Sequence, residues 1–207
     1  AWQGFPEPKL TVNLPNFLLN PIAKIADFLG CLGWRSPLRS NALTVLKDGI
    51  IADGSIWKQS GQPLPDSFET TLQNIPCTVQ ERWFGRLYLL LPLAITTLCL
   101  FWIASGLIGL IHAADAQLVL TERGIGGFLA ALFVYGGSIA DIGLGILVAF
   151  RKWSRLALIG MIALSASYLL GASTLTPDIW LDPLGPLVKV FPSIMLAAIC
   201  LVLLEER

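Results

Sequence analysis

Charged and titratable side chains are scarce in this chain of 207 residues. Charged residues make up 14% of it, the formal net charge is zero, and there is one histidine. Because no run of five or six basic residues occurs, we exclude nucleic acid as a partner. The four cysteines form no Cys-x-x-C pair, so we expect no metal site and no disulfide framework.

Signatures of nucleotide binding and hydrolysis are also missing. The fragments Gly124-x-Gly126-Gly127 and Gly143-x-Gly145 follow no strand and open no exposed helix N-terminus, so we interpret them as packing or loop glycines. His112 lies at the end of an apolar run, away from most polar residues, which leaves no nucleophile with a base beside it. We therefore predict no catalytic, cofactor-binding or metal-binding residue in this chain.

Long apolar runs are what the sequence has in abundance. Hydrophobic residues make up 55% of the chain, and its mean hydropathy is +0.70. A helix of roughly 20 apolar residues crosses about 30 Å of hydrocarbon. Four runs have that length, at residues 87–111, 125–150, 156–175 and 184–204. We therefore predict an all-α membrane protein in which residues 80–207 form a bundle of four transmembrane helices.

The first 79 residues have a different composition, rich in proline and polar side chains. We expect a short, mostly helical cytoplasmic or interfacial segment, with helix starts at Asn20-Pro21, at Ser36-Pro37 and at the capping-box spacing of Asp66 and Glu69. The chain opens with Ala1 and lacks the basic start and apolar core of a signal peptide. We interpret this opening as part of a longer protein.

The first membrane helix has its own start signal. Thr78-x-x-Glu81 is a capping-box spacing, so we expect that helix to begin in water and then enter the bilayer. Pro92 falls inside the run and removes one backbone hydrogen bond, which predicts a bend, with Thr96 and Thr97 satisfying the freed group.

Orientation follows from the basic residues of the loops, which collect on the cytoplasmic side. One side of the predicted bundle carries six of them and the other carries two. The six are Arg82, Arg86, Arg151, Lys152, Arg155 and Arg207, against Arg123 and Lys189. We therefore expect a multi-pass membrane protein with both termini in the cytoplasm.

Small residues predict how two of the helices pack. Helices in lipid associate through close packing of small side chains. Gly137, Asp141 and Gly145 lie four residues apart in the second run. The same spacing recurs in the third run at Ala163, Ser167 and Gly171. We predict that these two stripes meet.

Two charged residues within the runs are candidates for an intramembrane role. Asp141 is either a proton or ligand site, or a shallow residue relieved by water or by Arg151. Lys189 lies five residues into the fourth run, where its long stem can reach the surface. The predicted topology separates the two by about ten residues in depth, or about 15 Å, so we expect no direct pair.

Four segments resemble one bacterial architecture. They are residues 33–40 (GWRSPLRS), 79–88 (VQERWFGRLY), 101–103 (FWI) and 182–187 (DPLGPL). Together they resemble the C-terminal half of proteins in which a short-chain dehydrogenase/reductase (SDR) domain is fused to a DoxX-like membrane domain.

The resemblance implies an NAD(P)-binding Rossmann domain, in cis or in trans, and residues 1–79 would be the tail of that domain. Some DoxX-like proteins are associated with quinones, so the resemblance also implies a quinone as a second cofactor. This chain itself lacks the Tyr-x-x-x-Lys pair of the dehydrogenases, because Tyr88 and Tyr135 are both followed by apolar residues at that spacing. Docking of the missing domain would involve Arg82, Trp83, Arg86 and Tyr88.

The sequence thus predicts a membrane module that anchors or serves an NAD(P)-dependent oxidoreductase, and a homo-oligomer is compatible with it. One alternative is a passive anchor in which Asp141 only positions helices. A small transporter subunit is a weaker alternative, because the four runs show no inverted repeat.

Overall fold

A computed structural model describes residues 15–49, 55–61, 63, 65–76, 78–88, 90–183 and 185–205. The chain divides into two compact units, residues 1–88 and residues 89–207. All regular secondary structure in the described ranges is helical, and no strand occurs in them. The predicted all-α class is therefore confirmed for this part of the chain.

The first unit contains five described helices. They are α1 (Asn16–Cys31), α2 (Ser40–Asp48), α3 (Ser55–Gln59), α4 (Phe68–Asn74) and α5 (Val79–Leu87). α1 and α2 pack against each other. The Asp27 carboxylate at the end of α1 accepts hydrogen bonds from the Ser40 backbone N–H (3.3 Å) and the Arg39 side chain (3.4 Å).

Three of the predicted helix starts were displaced. α1 begins before Asn20 and contains Pro21, because the apolar residues that precede this proline extend the helix by more than one turn. α2 begins at Ser40, and α4 is capped by Ser67, whose side chain accepts a hydrogen bond from the Thr70 N–H. The N-cap is the residue whose side chain accepts a hydrogen bond from a free N–H of the first turn. In α4 that residue is Ser67 and not the predicted Asp66.

The capping box at the start of α5 is confirmed. Thr78 is the residue before the helix, and its backbone N–H donates to the Glu81 carboxylate at 2.7 Å. The Thr78 hydroxyl also contacts that carboxylate, and this hydrogen bond holds the pKa of Glu81 below its usual range. α5 ends at Leu87, and the first long apolar helix begins separately at Leu90.

The second unit contains the long helices. They are α6 (Leu90–Ile111), α7 (Ala113–Glu122), α8 (Gly127–Ala149), α9 (Ser154–Leu175), a 3₁₀ helix (Pro177–Leu181) and α10 (Val190–Glu205). Among the described residues, α6, α8 and α9 are long and apolar enough to cross a membrane. They match three of the four predicted runs to within three residues at each end. α7 was not predicted.

The fourth apolar run differs most from its prediction. The helix begins at Val190, six residues after the run begins, and 16 residues rise only about 24 Å. Gly185 has a positive φ of 54°, and Pro183 and Pro186 flank it, so the first part of the run forms turns. Lys189 consequently lies in the turn just before α10.

Pro92 lies in the first turn of α6. Backbone N–H groups in the first turn have no acceptor within the helix, so the N–H that proline lacks removes no helical hydrogen bond. The predicted bend is therefore not required at this position. Thr96 and Thr97 donate their hydroxyl protons to the carbonyls of Pro92 (2.8 Å) and Leu93 (2.9 Å).

The core of the second unit is small, and its outside is apolar. α6 packs mainly on α8, α8 also packs on α7 and α9, and α9 packs on α10. Leu98, Leu158 and Met161 are almost completely buried, yet only 22–28% of the most apolar window of each long helix is buried. Such helices expose large apolar side chains in every direction, as expected of segments that face lipid.

Two contacts tie the loops to the ends of this unit. At one end, the Arg151 guanidinium donates to the Leu204 carbonyl at 2.8 Å, which joins the α8–α9 turn to the end of α10. At the other end, Arg123 after α7 pairs with Asp178 of the 3₁₀ helix at 2.8 Å. The end of α10 therefore lies beside the turn at which α9 begins, so α9 and α10 are antiparallel.

Candidate functional site: an aspartate between three membrane helices

Asp141 lies on α8 and is 7% exposed. Small residues make this position crowded, because they let the backbones of α6 and α8 approach closely. A Cβ atom on Gly106 would collide with the Ser138 carbonyl oxygen and lie 3.1 Å from the Asp141 Cβ. A Cβ on Gly145 would lie 3.0 Å from the Ile103 backbone nitrogen. Glycine on each helix therefore brings Asp141 against α6.

Two hydroxyl groups bind the carboxylate. Ser105 of α6 donates a hydrogen bond to Asp141 Oδ2 at 2.9 Å, and Tyr168 of α9 donates one to Oδ1 at 2.9 Å. Each oxygen thus has a donor from a different helix. We call Asp141, Ser105 and Tyr168 the aspartate cluster.

Among the described residues, no cation pairs with Asp141. The three ion pairs of the described structure involve other carboxylates. An ionised Asp141 can only accept hydrogen bonds, and both hydroxyls here act as donors to it. A protonated Asp141 could donate instead, because a serine or tyrosine hydroxyl can also accept. The arrangement can therefore hold the carboxyl group in either state through a change of hydroxyl orientation.

A second buried polar group lies close in sequence to the cluster. Trp102, one turn before Ser105 on α6, is 3% exposed, and its indole N–H has no hydrogen-bond acceptor in the described structure. A buried donor without an acceptor costs about 1–3 kcal/mol. The Asp141 oxygens are bound by hydroxyls and not by this indole.

The relief expected from Arg151 is not observed. Arg151 reaches the carbonyl of Leu204, and the burial of Asp141 leaves little water beside it. Lys189 is exposed and takes part in none of the ion pairs of the described residues. Sequence reasoning missed Ser105 and Tyr168, although a hydroxyl in an apolar run is a recognisable signal for a bond between helices.

The predicted small-residue stripes do not meet. Gly145 lies against α6, whereas Gly137 faces α9, where an added Cβ would lie 2.8 Å from the Tyr168 hydroxyl. On α9, Ala163 and Ser167 are exposed, and Gly171 has open space beside it. α8 packs more extensively on α6 than on α9, and Gly145 of the predicted stripe lies on its α6 side.

The predicted docking residues lie on or next to α5. Trp83 is 61% exposed, while Arg82 and Tyr88 are half-buried. The ring of Tyr88 packs edge to face on Phe84, with centroids 5.8 Å apart. The Arg86 side chain lies outside the described residues.

The ion pairs found in the described residues of the second unit lie at its Arg123 end. The bond from Arg123 holds the pKa of the Asp178 carboxyl below its usual range and raises the pKa of the guanidinium. His112, between α6 and α7, places Nδ1 3.5 Å from an Asp115 oxygen. In the described part of the chain, no three His, Cys, Asp or Glu side chains come together as metal ligands.

Comparison with known families gives a match to the DoxX-like family. Residues 99–198 match that family. The DoxX-like region begins within α6 and ends within α10, so it contains all three residues of the aspartate cluster. With its apolar helices, it indicates a multi-pass membrane protein. No curated protein and no solved structure matches the chain.

Proposed function

We propose that this chain is the membrane module of a redox protein and that its helices hold an NAD(P)-dependent, SDR-type oxidoreductase domain at the bacterial inner membrane. The observation that carries the proposal is the DoxX-like match, which falls on the apolar helices. The resemblance of residues 33–40 and 79–88 to SDR fusion proteins supports the identity of the partner. The partner would be joined upstream or bound in trans.

The topology in this proposal has four crossings with both termini in the cytoplasm. The antiparallel pairing of α9 and α10, joined at one end by Arg151 and Leu204, supports a fourth crossing. α10 alone is short for about 30 Å of hydrocarbon, so the turn that contains Lys189 would complete it near the outer surface. The basic residues Arg151 and Lys152 lie between α8 and α9, and Arg155 lies in the first turn of α9, as the cytoplasmic side requires.

The described residues of this chain do not fit the cofactors implied by the resemblance. They contain no strand from which a Rossmann turn could start, so NAD(P) would bind in the partner domain. With Asp141 ionised, the aspartate cluster does not fit a quinone carbonyl, because the Ser105 and Tyr168 hydroxyls donate their protons to Asp141. In this proposal the chain supplies attachment and orientation, and the partner supplies the hydride chemistry.

The decisive experiment is the mass of the native gene product in cell membranes, detected through a tag after Arg207. A band near 45–55 kDa would fit an added Rossmann domain of roughly 200–250 residues. The next step would then be NAD(P)H turnover in washed membranes. A band near 22.4 kDa, with no reductase retained by the tagged chain, would overturn the proposal.

A second candidate function is a passive anchor, in which Asp141 only positions helices. The aspartate cluster favours it specifically, because both donors to Asp141 come from neighbouring helices and the carboxylate thereby links α8 to α6 and α9. Asp141→Asn in the complete protein tests this candidate. If membrane-linked turnover persists at normal protein abundance, a proton-coupling role for Asp141 is excluded and the passive anchor is favoured. If turnover falls at normal abundance, the passive anchor is excluded.

A further inference from the structure

α1 has the opposite of the usual distribution of apolar side chains. Its buried positions are the small residues Ala23 and Ala26, each 5% exposed. Its large apolar residues are outside, with Phe17 72%, Ile25 61% and Phe28 64% exposed. A helix in a water-soluble domain buries its large apolar side chains and exposes the others. α1 therefore presents an apolar face that its own unit does not cover.

The exposed residues share one side of the helix. Phe28 and Ile25 lie about 20° and about 80° around the helix from Phe17 at 3.6 residues per turn, so the three side chains lie on one side of α1. Leu18 and Leu29, 41% and 37% exposed, widen the face. We call these five residues the α1 apolar face.

The polar side of α1 is occupied. Asp27 is held by Arg39 and Ser40 at the start of α2, which fixes that side of α1 towards its own unit. The pairing also offsets the negative charge of Asp27. Lys24 is exposed, and it lies one turn before Phe28 at the border of the α1 apolar face. The helix thus shows an outward apolar face with a cation beside it.

We propose that α1 binds the surface of the bilayer, with Phe17, Ile25 and Phe28 in the boundary between headgroups and acyl chains and Lys24 beside anionic headgroups. Amphipathic helices with aromatic and aliphatic residues on one face and lysine at its border bind membranes in this way. The inference rests on the membrane location of the chain and not on the oxidoreductase partner.

The covalent structure favours lipid over a protein as the occupant of this face. The unit that contains α1 ends at Tyr88, and the first apolar helix begins at Leu90. α1 is thus joined covalently to a membrane helix, which raises its effective concentration at the bilayer. Binding to lipid therefore needs little affinity of its own, whereas a protein bound in trans would have to be recruited.

The test uses the full chain reconstituted in vesicles of phosphatidylcholine and phosphatidylglycerol. Cys31 and Cys77 are replaced by serine, and single cysteines are introduced as Phe28→Cys or, on the polar side as a matched control, Asn20→Cys. Each is spin-labelled, and collision rates are measured with oxygen, which dissolves in lipid, and with a neutral nickel chelate, which remains in water. Protein in which Cys31 and Cys77 are replaced and no cysteine is introduced is the background control, because it shows how much label Cys99 and Cys200 take up.

We expect the ratio of oxygen to nickel accessibility to be several-fold higher at position 28 than at position 20. Equal ratios would show that the face is open to water and would overturn the proposal. An immobilised label at position 28, protected from both reagents, would show that protein covers the face and would also overturn it. The oxidoreductase proposal is unaffected by any of these results, because the mass and turnover measurements test it separately.

Discussion

The Tyr168 hydroxyl of α9 lies 2.9 Å from Oδ1 of Asp141 on α8 and donates a hydrogen bond to it, across an interface made otherwise by apolar and small side chains. Ser105 of α6 occupies the other carboxylate oxygen. A single carboxylate therefore connects three helices that are each long enough to span the membrane. Whether or not Asp141 also exchanges a proton, this geometry makes it a positioning residue for the bundle.

We expect Tyr168→Phe to lower the free energy of unfolding in detergent micelles or bicelles. The change removes the donor to Oδ1 and leaves that buried oxygen unpaired. Hydrogen bonds between membrane helices contribute about 0.6 kcal/mol on average and up to about 1.7 kcal/mol. Asp141→Asn on the Tyr168→Phe background should then cost less than it does in the unsubstituted protein, and reversible unfolding of the four proteins gives this coupling.

Tyr135→Phe is the matched control for this cycle. Tyr135 lies on α8, is 46% exposed, and forms no hydrogen bond in the described structure. It should unfold like the unsubstituted protein. Strictly additive losses for Asp141→Asn and Tyr168→Phe would show that the two side chains do not act together.

Gly106→Ala is expected to destabilise the bundle by about 1–3 kcal/mol, the usual effect of overpacking. The new methyl group would collide with the backbone oxygen of Ser138, which a side-chain rotation cannot relieve. Gly136→Ala is the control, since a Cβ there meets nothing within 4 Å. Thermal unfolding of both variants gives the comparison, and an equal midpoint would show that α6 and α8 are less closely packed than described.

Long apolar runs could be recognised as helices from the sequence because lipid requires an apolar surface all around each segment. α6, α8 and α9 therefore follow the runs at residues 87–111, 125–150 and 156–175 closely. The same reasoning failed at residues 184–204, where composition is apolar but Gly185 and two prolines favour turns over the first residues. Hydropathy reports the environment of a segment, and local backbone preference decides where the helix begins.

The aspartate cluster could be predicted only in part. Asp141 could be identified from the sequence because a charged side chain in an apolar run is costly, which marks it as a candidate for a structural or functional role. Its partners depend on the faces that helices turn towards each other, and Gly137 and Gly145 point to different neighbours although they lie on one stripe. Residue spacing predicts which side chains share a face of a helix, but it does not predict which neighbouring helix packs on that face.

The ion pair between Arg123 and Asp178 predicts a local dependence on pH. The pKa of Asp178 is lower in the folded protein than in the unfolded chain, so its contribution to stability is present above the unfolded pKa of about 3.9. That contribution is lost as the pH falls through the folded value. We expect the protection of the Ile179 amide, which donates to the Thr176 carbonyl at 3.1 Å, to fall below about pH 4 when its exchange rate is divided by the intrinsic rate at the same pH.

Asp178→Asn provides the comparison for this measurement. The variant should exchange faster at neutral pH and differ little from the unsubstituted protein in acid, and intrinsic exchange rates cancel at each pH. Both residues are solvent-accessible, so added salt should weaken the effect. A difference that persists unchanged into acid would show that the charge of Asp178 is not its cause.

Arg151→Ala should release the last turn of α10. The guanidinium donates to the Leu204 carbonyl at 2.8 Å, one of the carbonyls at a helix end that lack a partner within the helix. A cation there also interacts favourably with the partial negative charge of that end. We expect faster hydrogen exchange confined to the final turn of α10, with little change in the overall unfolding midpoint.

Lys152→Ala is the control for this prediction, because it removes a neighbouring charge of the same sign from the same turn. The Lys152 ammonium lies 5.5 Å from the centre of the Trp153 ring, so its loss should leave exchange in α10 unchanged. Arg151→Lys separates charge from geometry, since an ammonium keeps the charge but not the planar guanidinium. Equal acceleration by Arg151→Ala and Lys152→Ala would mean that net positive charge at this turn, and not the bond to Leu204, protects the helix end.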